Sequence, residues 1–472
     1  MRVVTGRDAS QLWDERPGLH RHTVKVLGLA RPDGARPITI DDLATHLRAR
    51  LPVLYPLREH VARVAGGIVL PAAWVRTGVR LDDHLRHVEV GPDAEVAALE
   101  DVVGEAMASP MDLDRPLWDL TLVDGPGPTD QWLVWRIHHS VAGGPQAARL
   151  LELMFGPVDD LDAADAVDGA AAPDEPMPST ASLVAFGLRR WVHLASRLVE
   201  LPEVVITTVR ALRSEGGTDL GAAPYTTPPC SWNGDVAGPR HAGMATLSLP
   251  LMRAAGRARG CTANHVLLTI LGGALTEALE EAGAAQALTT VVPVERQERT
   301  AEPAGNSCTS FGLDLAVDER DPDRRLVRLG SAAVHAKARH LGVDRRLKFG
   351  FVELGPAYTA VFRLGVAIGR AKGRPPYNMI VSFVRGPVVP MAVGASTVSS
   401  VTSFGVVVES MGLNVTAWSV GDDVHVGIVV ASGELDPRRL AAALVEQLGE
   451  LAEAVGVDPE QVASEAGRAR AS

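Results

Sequence analysis

Leu43, Leu47, Leu51 and Leu54 in "DDLATHLRARLPVLYPL" recur at the three-to-four-residue spacing that lines one face of an α-helix. "EVAALEDVVGEAMASPMDL" has the same period and predicts a second helix that stops near Pro110. The period then drops to two in "LWDLTLVDG", which closes on an Asp-Gly turn signal. "QWLVWRIHH" reads as the returning strand of an antiparallel pair joined through "GPGPT". Helical spacing resumes in "GGPQAARLLELMF", with Ala147, Leu150, Leu151 and Met154 on one face. Residues 138 and 139, two adjacent histidines, therefore fall at a strand-to-helix junction.

Beyond Gly156 the pattern lapses. "GPVDDLDAADAVDGAAAPDEPMPST" offers little to bury and reads as a solvated linker or crossover loop. "VAFGLRRWVHLASRLVELPEVVITTVRALR" follows as amphipathic helix, either an ordinary surface helix or a face that rests on a membrane. In the second half "ATLSLPL", "TTVVPV" and "NMIVSFVRGP" read as strands, and "LNVTAWSVGDDVHVGIVV" as a hairpin around Gly-Asp-Asp. "TANHVLLTILGGALTEALEEAG" is a long helix with Thr262 as candidate N-cap, and "RRLAAALVEQLGELAEAV" is the last clear helix. The expectation is an α/β protein of two comparable layers: residues 1–155, a linker over 156–190, and residues 191–472.

Composition narrows the function classes. At 46% hydrophobic and 22% charged residues, the 472-residue chain can build large cores. A formal charge of −11 with no long basic run argues against nucleic acid as a partner. Cys230, Cys261 and Cys308 lie far apart, outside any C-x-x-C arrangement, which fits a reducing compartment without a disulfide framework or zinc ribbon. The opening "MRVVTGRDASQLWDE" has no apolar signal core, and no stretch approaches the ~18 apolar residues of a spanning helix. A cytoplasmic protein is expected, with no metal site.

The chemistry concentrates in "WRIHHSVAGG". A histidine near its ordinary pKa takes a proton from a hydroxyl or amine at neutral pH. Side chains alternate across a strand, so one ring can face the core while the other faces a cleft. Two readings stand for this pair: a general base beside a structural partner, or two buried and satisfied rings. No G-x-S-x-G elbow, Walker loop or H-E-x-x-H accompanies it, and "GVAIGRAKG" lacks the spacing of a dinucleotide fingerprint.

The chain resembles the bacterial wax ester synthase/diacylglycerol acyltransferase family, within the superfamily of chloramphenicol acetyltransferases and condensation domains. "HHSVAGG" falls on that family's H-H-x-x-x-D-G signature, with the aspartate missing. "LDRPLWDLTLVDG", "LPLMRAAGRARGCTANHVLLTILGGAL", "VVPVERQ", "GNSCTSFGLDL", "NMIVSFVRGP" and "LNVTAWSVGDDVHVGIVV" follow in the family's order. The resemblance implies two chloramphenicol-acetyltransferase-like domains with a channel between them. A thioester donor, on CoA or a carrier protein, would meet an acceptor alcohol or amine there, with no tightly bound cofactor. His139 would be the general base and His138 its structural neighbour. Asn264 would help hold the oxyanion or merely cap its helix.

Several motif positions depart from the family pattern. Gly143, followed by Gly144, stands where the aspartate would, and Gln297, beside Arg296, stands where its arginine partner would. Joint loss would leave the loop after His139 held by packing and by the glycines' conformational freedom. His265 replaces the aspartate of the Asn-Asp pair, and Phe383 and Arg385 replace the asparagine and proline of "SNVPGP", after Ser382. These channel candidates favour a specialised acceptor over bulk lipid. The expected function is acyl transfer from a thioester to a hydroxyl or amine. A condensation or cyclisation on the same fold, and a non-catalytic protein that holds an acyl ligand or a partner, are the alternatives. Peripheral membrane contact fits the amphipathic helices.

Overall fold

The computed structural model describes residues 2–4, 6–62, 72–91, 96–125, 127, 131–157, 174–197, 221–281, 287–294, 309–342, 356–431 and 435–471. The first half carries β1 (Arg2–Val3), α1 (Gly6–Asp14), β2 (His22–Ala30), α2 (Ile40–Arg50), β3 (Glu59–Ala62), β4 (Ala73–Arg76), β5 (Leu85–Glu89), α3 (Val96–Ala108), β6 (Trp118–Asp124), β7 (Gln131–His138) and α4 (Gly144–Phe155). Then come α5 (Thr180–Arg197), β8 (His241–Ser248), α6 (Leu249–Arg257), α7 (Ala263–Glu281), β9 (Thr289–Val294), β10 (Thr309–Asp314), α8 (Pro322–Gly342) and α9 (Pro356–Ala371). The chain closes with β11 (Met379–Arg385), β12 (Ala392–Val393), β13 (Ser396–Phe404), β14 (Leu413–Val420), β15 (Asp423–Val430), α10 (Pro437–Ala454) and α11 (Pro459–Ala471).

Two six-stranded mixed sheets form the frame, in the orders β12-β13-β2-β7-β6-β5 and β10-β9-β11-β14-β15-β8. The expected hairpin is present: β6 and β7 pair antiparallel from Trp118 opposite Ile137 to Asp124 opposite Gln131. Its two faces bury different cores. Leu133, Trp135 and Ile137 pack with Leu43 and Leu47 of α2 and Leu151 of α4. Val134, on the opposite face, packs with Val103 of α3 and Val24 of β2. In the second sheet Val415 and Val426 lie against Val266 and Leu271 of α7 and Leu444 of α10.

Local signals explain the boundaries. Thr39 and Asp42 form a reciprocal capping box that starts α2; Leu51 keeps helical geometry and donates to the Leu47 carbonyl, and the ladder stops there because Pro52 has no N–H to continue it. Leu51 and Leu54 thus lie beyond the helix that their spacing suggested. "ATLSLPL" is only half strand: the Ser248 hydroxyl accepts the Leu251 N–H at 3.3 Å, and α6 begins with Pro250 in its first turn.

The sheets do not follow the expected division at residues 156–190. Late in the chain, β13 returns to the first sheet and pairs antiparallel with β2, Ser403 opposite Lys25 and Phe404 opposite Val24. Residues 396–404 therefore complete the N-terminal layer, although they lie within the segment expected to form the C-terminal one. The physical reason is the edge of β2, whose backbone groups need a partner strand. Residues 158–173 of the linker, and 198–220 of the amphipathic stretch, lie outside the described residues. Among the described residues no helix is long and apolar enough to cross a membrane.

Candidate active site

His138 is the last residue of β7, and His139 opens the turn that leads to α4. His138 is fully buried. Its Nδ1 lies 2.6 Å from the Ser140 hydroxyl and its Nε2 3.2 Å from Glu15 Oε1. That partner set fits a neutral ring whose Nε2–H donates to the carboxylate while Nδ1 accepts from Ser140. Glu15 also accepts the Arg21 backbone N–H and faces His20. Burial opposes its ionisation, yet hydrogen bonds from His138 and His20 together hold its carboxyl down at about 2. Glu15 sits just past α1, far from the histidines in sequence, and sequence reasoning missed it.

His139 is partly buried. Its backbone N–H donates to the Arg21 carbonyl at 2.7 Å, which ties the turn to the start of β2. Its Nδ1–H points at the Ala142 carbonyl, 3.2 Å away. This tautomer carries the lone pair on Nε2. Burial and the Lys25 charge, with a smaller contribution from Arg21, push its pKa down to about 4, so the imidazole is neutral at physiological pH.

The ring lines a cavity of about 500 Å³ between the two sheets. Thr23 and Lys25 of β2, Ser403 of β13, and Asn414, Thr416 and Trp418 of β14 contribute to its wall. The start of α4 and residues Ser382, Phe383 and Arg385 of β11 complete it. All three expected β11 positions thus meet His139 in one cavity, and Phe383 forms wall without filling the space.

Gly143 is the N-cap of α4, at φ −77° and ψ −176°, with no side chain to cap the helix. Neither Gly143 nor Gly144 has a positive φ, which corrects the expectation that their conformational freedom holds the loop. Gly144 answers a different need: a Cβ there would lie 2.9 Å from Val384 Cγ2 of β11. The α4 N-terminus, with its positive dipole end, therefore packs directly against the cavity strand. The proposed joint loss of an arginine involves Arg296 and Gln297, which lie outside the described residues, as does Cys308.

Asn264 and His265 are not brought to this cavity. Both sit in the first turn of α7, where Thr262 is the N-cap: its hydroxyl accepts the His265 N–H, and its own N–H approaches His265 Nδ1, both at 3.4 Å. His265 thus takes the place of the acidic residue in a capping box. Asn264 Oδ1 is buried with no hydrogen-bond partner among the described residues. Neither residue lines the cavity that holds His139, so the channel role expected for His265 and the oxyanion role expected for Asn264 find no support in its wall.

Lys25 is the other residue missed. It is 2% exposed, and its ammonium donates to the Thr23 hydroxyl between the rings of Trp135 and Trp418, 5.9 and 5.8 Å from their centroids. Burial brings its pKa down to about 7. A lysine inside the otherwise apolar "HTVKVLGLA" was the available signal.

Comparison with known proteins adds to this geometry. Residues 4–267 match the model of the wax ester synthase/diacylglycerol acyltransferase catalytic domain, and residues 304–452 that family's C-terminal domain. A Mycobacterium tuberculosis protein named as a putative diacylglycerol O-acyltransferase is 27% identical over the full length of both chains. A second from that organism, named as a probable diacylglycerol O-acyltransferase, is 26% identical over 92% of this chain and 96% of its own. The solved wax ester synthase/diacylglycerol acyltransferase of Marinobacter aquaeolei superposes with a TM-score of 0.66 at 21% identity, covering 95% of this chain and 98% of that one. The first condensation domain of the CDA synthetase has the same fold, with a TM-score of 0.55 at 17% identity over 96% and 95% of the two chains.

Proposed function

The chain belongs to the wax ester synthase/diacylglycerol acyltransferase family and is an acyltransferase; from that premise we propose that it carries an acyl group from a thioester to a hydroxyl or amine, with His139 as general base. The observation that carries this reading is the neutral His139 ring in the wall of an inter-sheet cavity, its Nδ1–H directed to the Ala142 carbonyl. Nε2 takes the acceptor's proton as its oxygen or nitrogen attacks the thioester carbonyl. The tetrahedral intermediate collapses, the C–S bond breaks, and the imidazolium returns the proton to the leaving thiolate. No acyl-enzyme forms. With Gly143 unable to cap it, the α4 N-terminus beside His139 supplies dipole stabilisation to the developing oxyanion.

His138 acts through the turn. Bonded to Glu15 and Ser140, it fixes the backbone that presents His139 and does not touch the reactants. Phe383 and Arg385, where the family pattern has smaller or uncharged residues, narrow the acceptor to a specialised compound. On α5, Leu188 and Val192 are exposed at 57% and 71%, an outward apolar face that suits contact with a lipid surface. The open cavity favours catalysis over the alternative of a protein that only holds an acyl ligand.

The test is a screen of acyl-CoA and carrier-bound thioesters against alcohols and amines, read by thiol release and product mass. Ester or amide formation with stoichiometric thiol release is expected. Tight thioester binding with no turnover on any acceptor would establish the ligand-holding alternative.

A further inference from the structure

Lys25 is a buried cation without a counter-ion. Its hydrogen-bond partner is the neutral Thr23 hydroxyl, and among the described residues no carboxylate pairs with it. Transfer of an ammonium from water into protein is expensive unless an anion or several acceptors compensate. The flanking Trp135 and Trp418 faces return part of that stabilisation. A methionine or leucine at this position would avoid the expense altogether. The side chain nevertheless reaches the cavity that holds His139, and Ser403, directly opposite Lys25 in the strand register, lines the same wall.

We propose that Lys25, with the Thr23 and Ser403 hydroxyls, forms a carboxylate-binding subsite in the acyl-transfer cavity. One ammonium with two neighbouring hydroxyls matches the few acceptor positions of a single planar carboxylate. Depth argues against the phosphates of a CoA donor as its ligand. Lys25 lies mid-strand behind two indoles, whereas Arg149 and Arg385 are the exposed cations along the cavity wall. The protein would thus prefer a reactant that carries an acid group apart from the reacting centre. Either an acceptor such as a hydroxy acid or a donor such as the CoA thioester of a dicarboxylic acid satisfies that chemistry. An anion on Lys25 also cancels the charge that helps depress His139, so the base gains proton affinity as the correct reactant binds.

This inference rests on the acyl-transfer reading, and a binding measurement separates the two. Intact protein and Lys25→Met are titrated with a medium-chain hydroxyalkanoate and with the diol of equal length, followed by tryptophan fluorescence. Lys25→Met replaces a buried charge with an apolar chain of similar length, so the fold is retained. Wild type is expected to bind the hydroxyalkanoate at least tenfold more tightly than the diol, with the preference fading as pH rises past about 7, where Lys25 loses its proton. Lys25→Met should lose the preference and keep its affinity for the diol. A second arm compares dicarboxylyl- with monocarboxylyl-CoA in the same way; a preference there assigns the acid group to the donor. Equal affinity for acidic and neutral partners in both arms, or a preference that survives in Lys25→Met, overturns the subsite. Failure of turnover with every substrate would count against the acyl-transfer reading and leave the binding result standing.

Discussion

Glu15→Gln isolates a charge that the fold uses, because glutamine keeps the shape and one acceptor oxygen. In the folded protein burial disfavours the carboxylate, but hydrogen bonds from His138, His20 and the Arg21 backbone outweigh it, and the pKa falls from 4.5 to about 2. A shift of that size contributes on the order of 3 kcal/mol to stability wherever the group is ionised in both states. The sign follows from the lowered folded-state value. The contribution is complete above pH 4.5, the unfolded value, and disappears as pH falls towards about 2. Glu15→Gln should therefore unfold more readily than wild type at pH 7, and the gap should narrow steadily between about pH 4.5 and 2. Denaturant titrations of both proteins across pH 2–7 provide the assay. Because Glu15 anchors His138, kcat should fall as well, with KM less affected. A variant as stable as wild type at pH 7, or a gap that widens on acidification, would refute the reasoning.

Three further outcomes follow from the geometry. Gly144→Ala would place a Cβ 2.9 Å from the stiff Val384 side chain, so melting temperature and turnover should both drop, at a cost of roughly 1–3 kcal/mol; unchanged values would show slack between α4 and β11. Asn264→Ala removes a buried oxygen that has no hydrogen-bond partner among the described residues and does not line the cavity. Its kcat should stay within a few-fold of wild type, and a loss of about 10²-fold or more would restore the oxyanion role. Thr262→Ala should cost about 1 kcal/mol of stability through the lost α7 cap, with turnover preserved; a turnover collapse at constant stability would link that helix start to catalysis.

The elements read correctly from sequence are those with one clear apolar period. The β6–β7 hairpin, α4, α7, the β14–β15 hairpin and α10 each bury a regular stripe or alternate face, and periodicity reports that directly. By contrast, β13 in "STVSSVTSF" escaped because its serines and threonines suggest a loop, and pairing with β2 outweighs that composition. The break in "HTVKVLGLA" hid β2 itself, since Lys25 is a charged residue in a buried strand. At the site, the adjacent histidines and the β11 positions were legible from their motif spacing. Glu15 was not: its role depends on α1 folding back against His138, a tertiary contact between residues 123 positions apart. His265 was misread because its substitution in a family motif suggested the channel, when the local capping pattern after Thr262 explains it more simply.

The central claim, that His139 takes the acceptor's proton, is tested most directly by acyl transfer with His139→Ala. Thiol release and ester or amide formation from one accepted donor–acceptor pair are followed for wild type and variant, with melting temperature as the control. The ring lines the cavity, and its bond to the Ala142 carbonyl is long at 3.2 Å, so the variant should remain folded. The account predicts ~10²–10⁴-fold slower turnover at an unchanged melting temperature. A folded His139→Ala protein that transfers the acyl group at nearly the wild-type rate would contradict it.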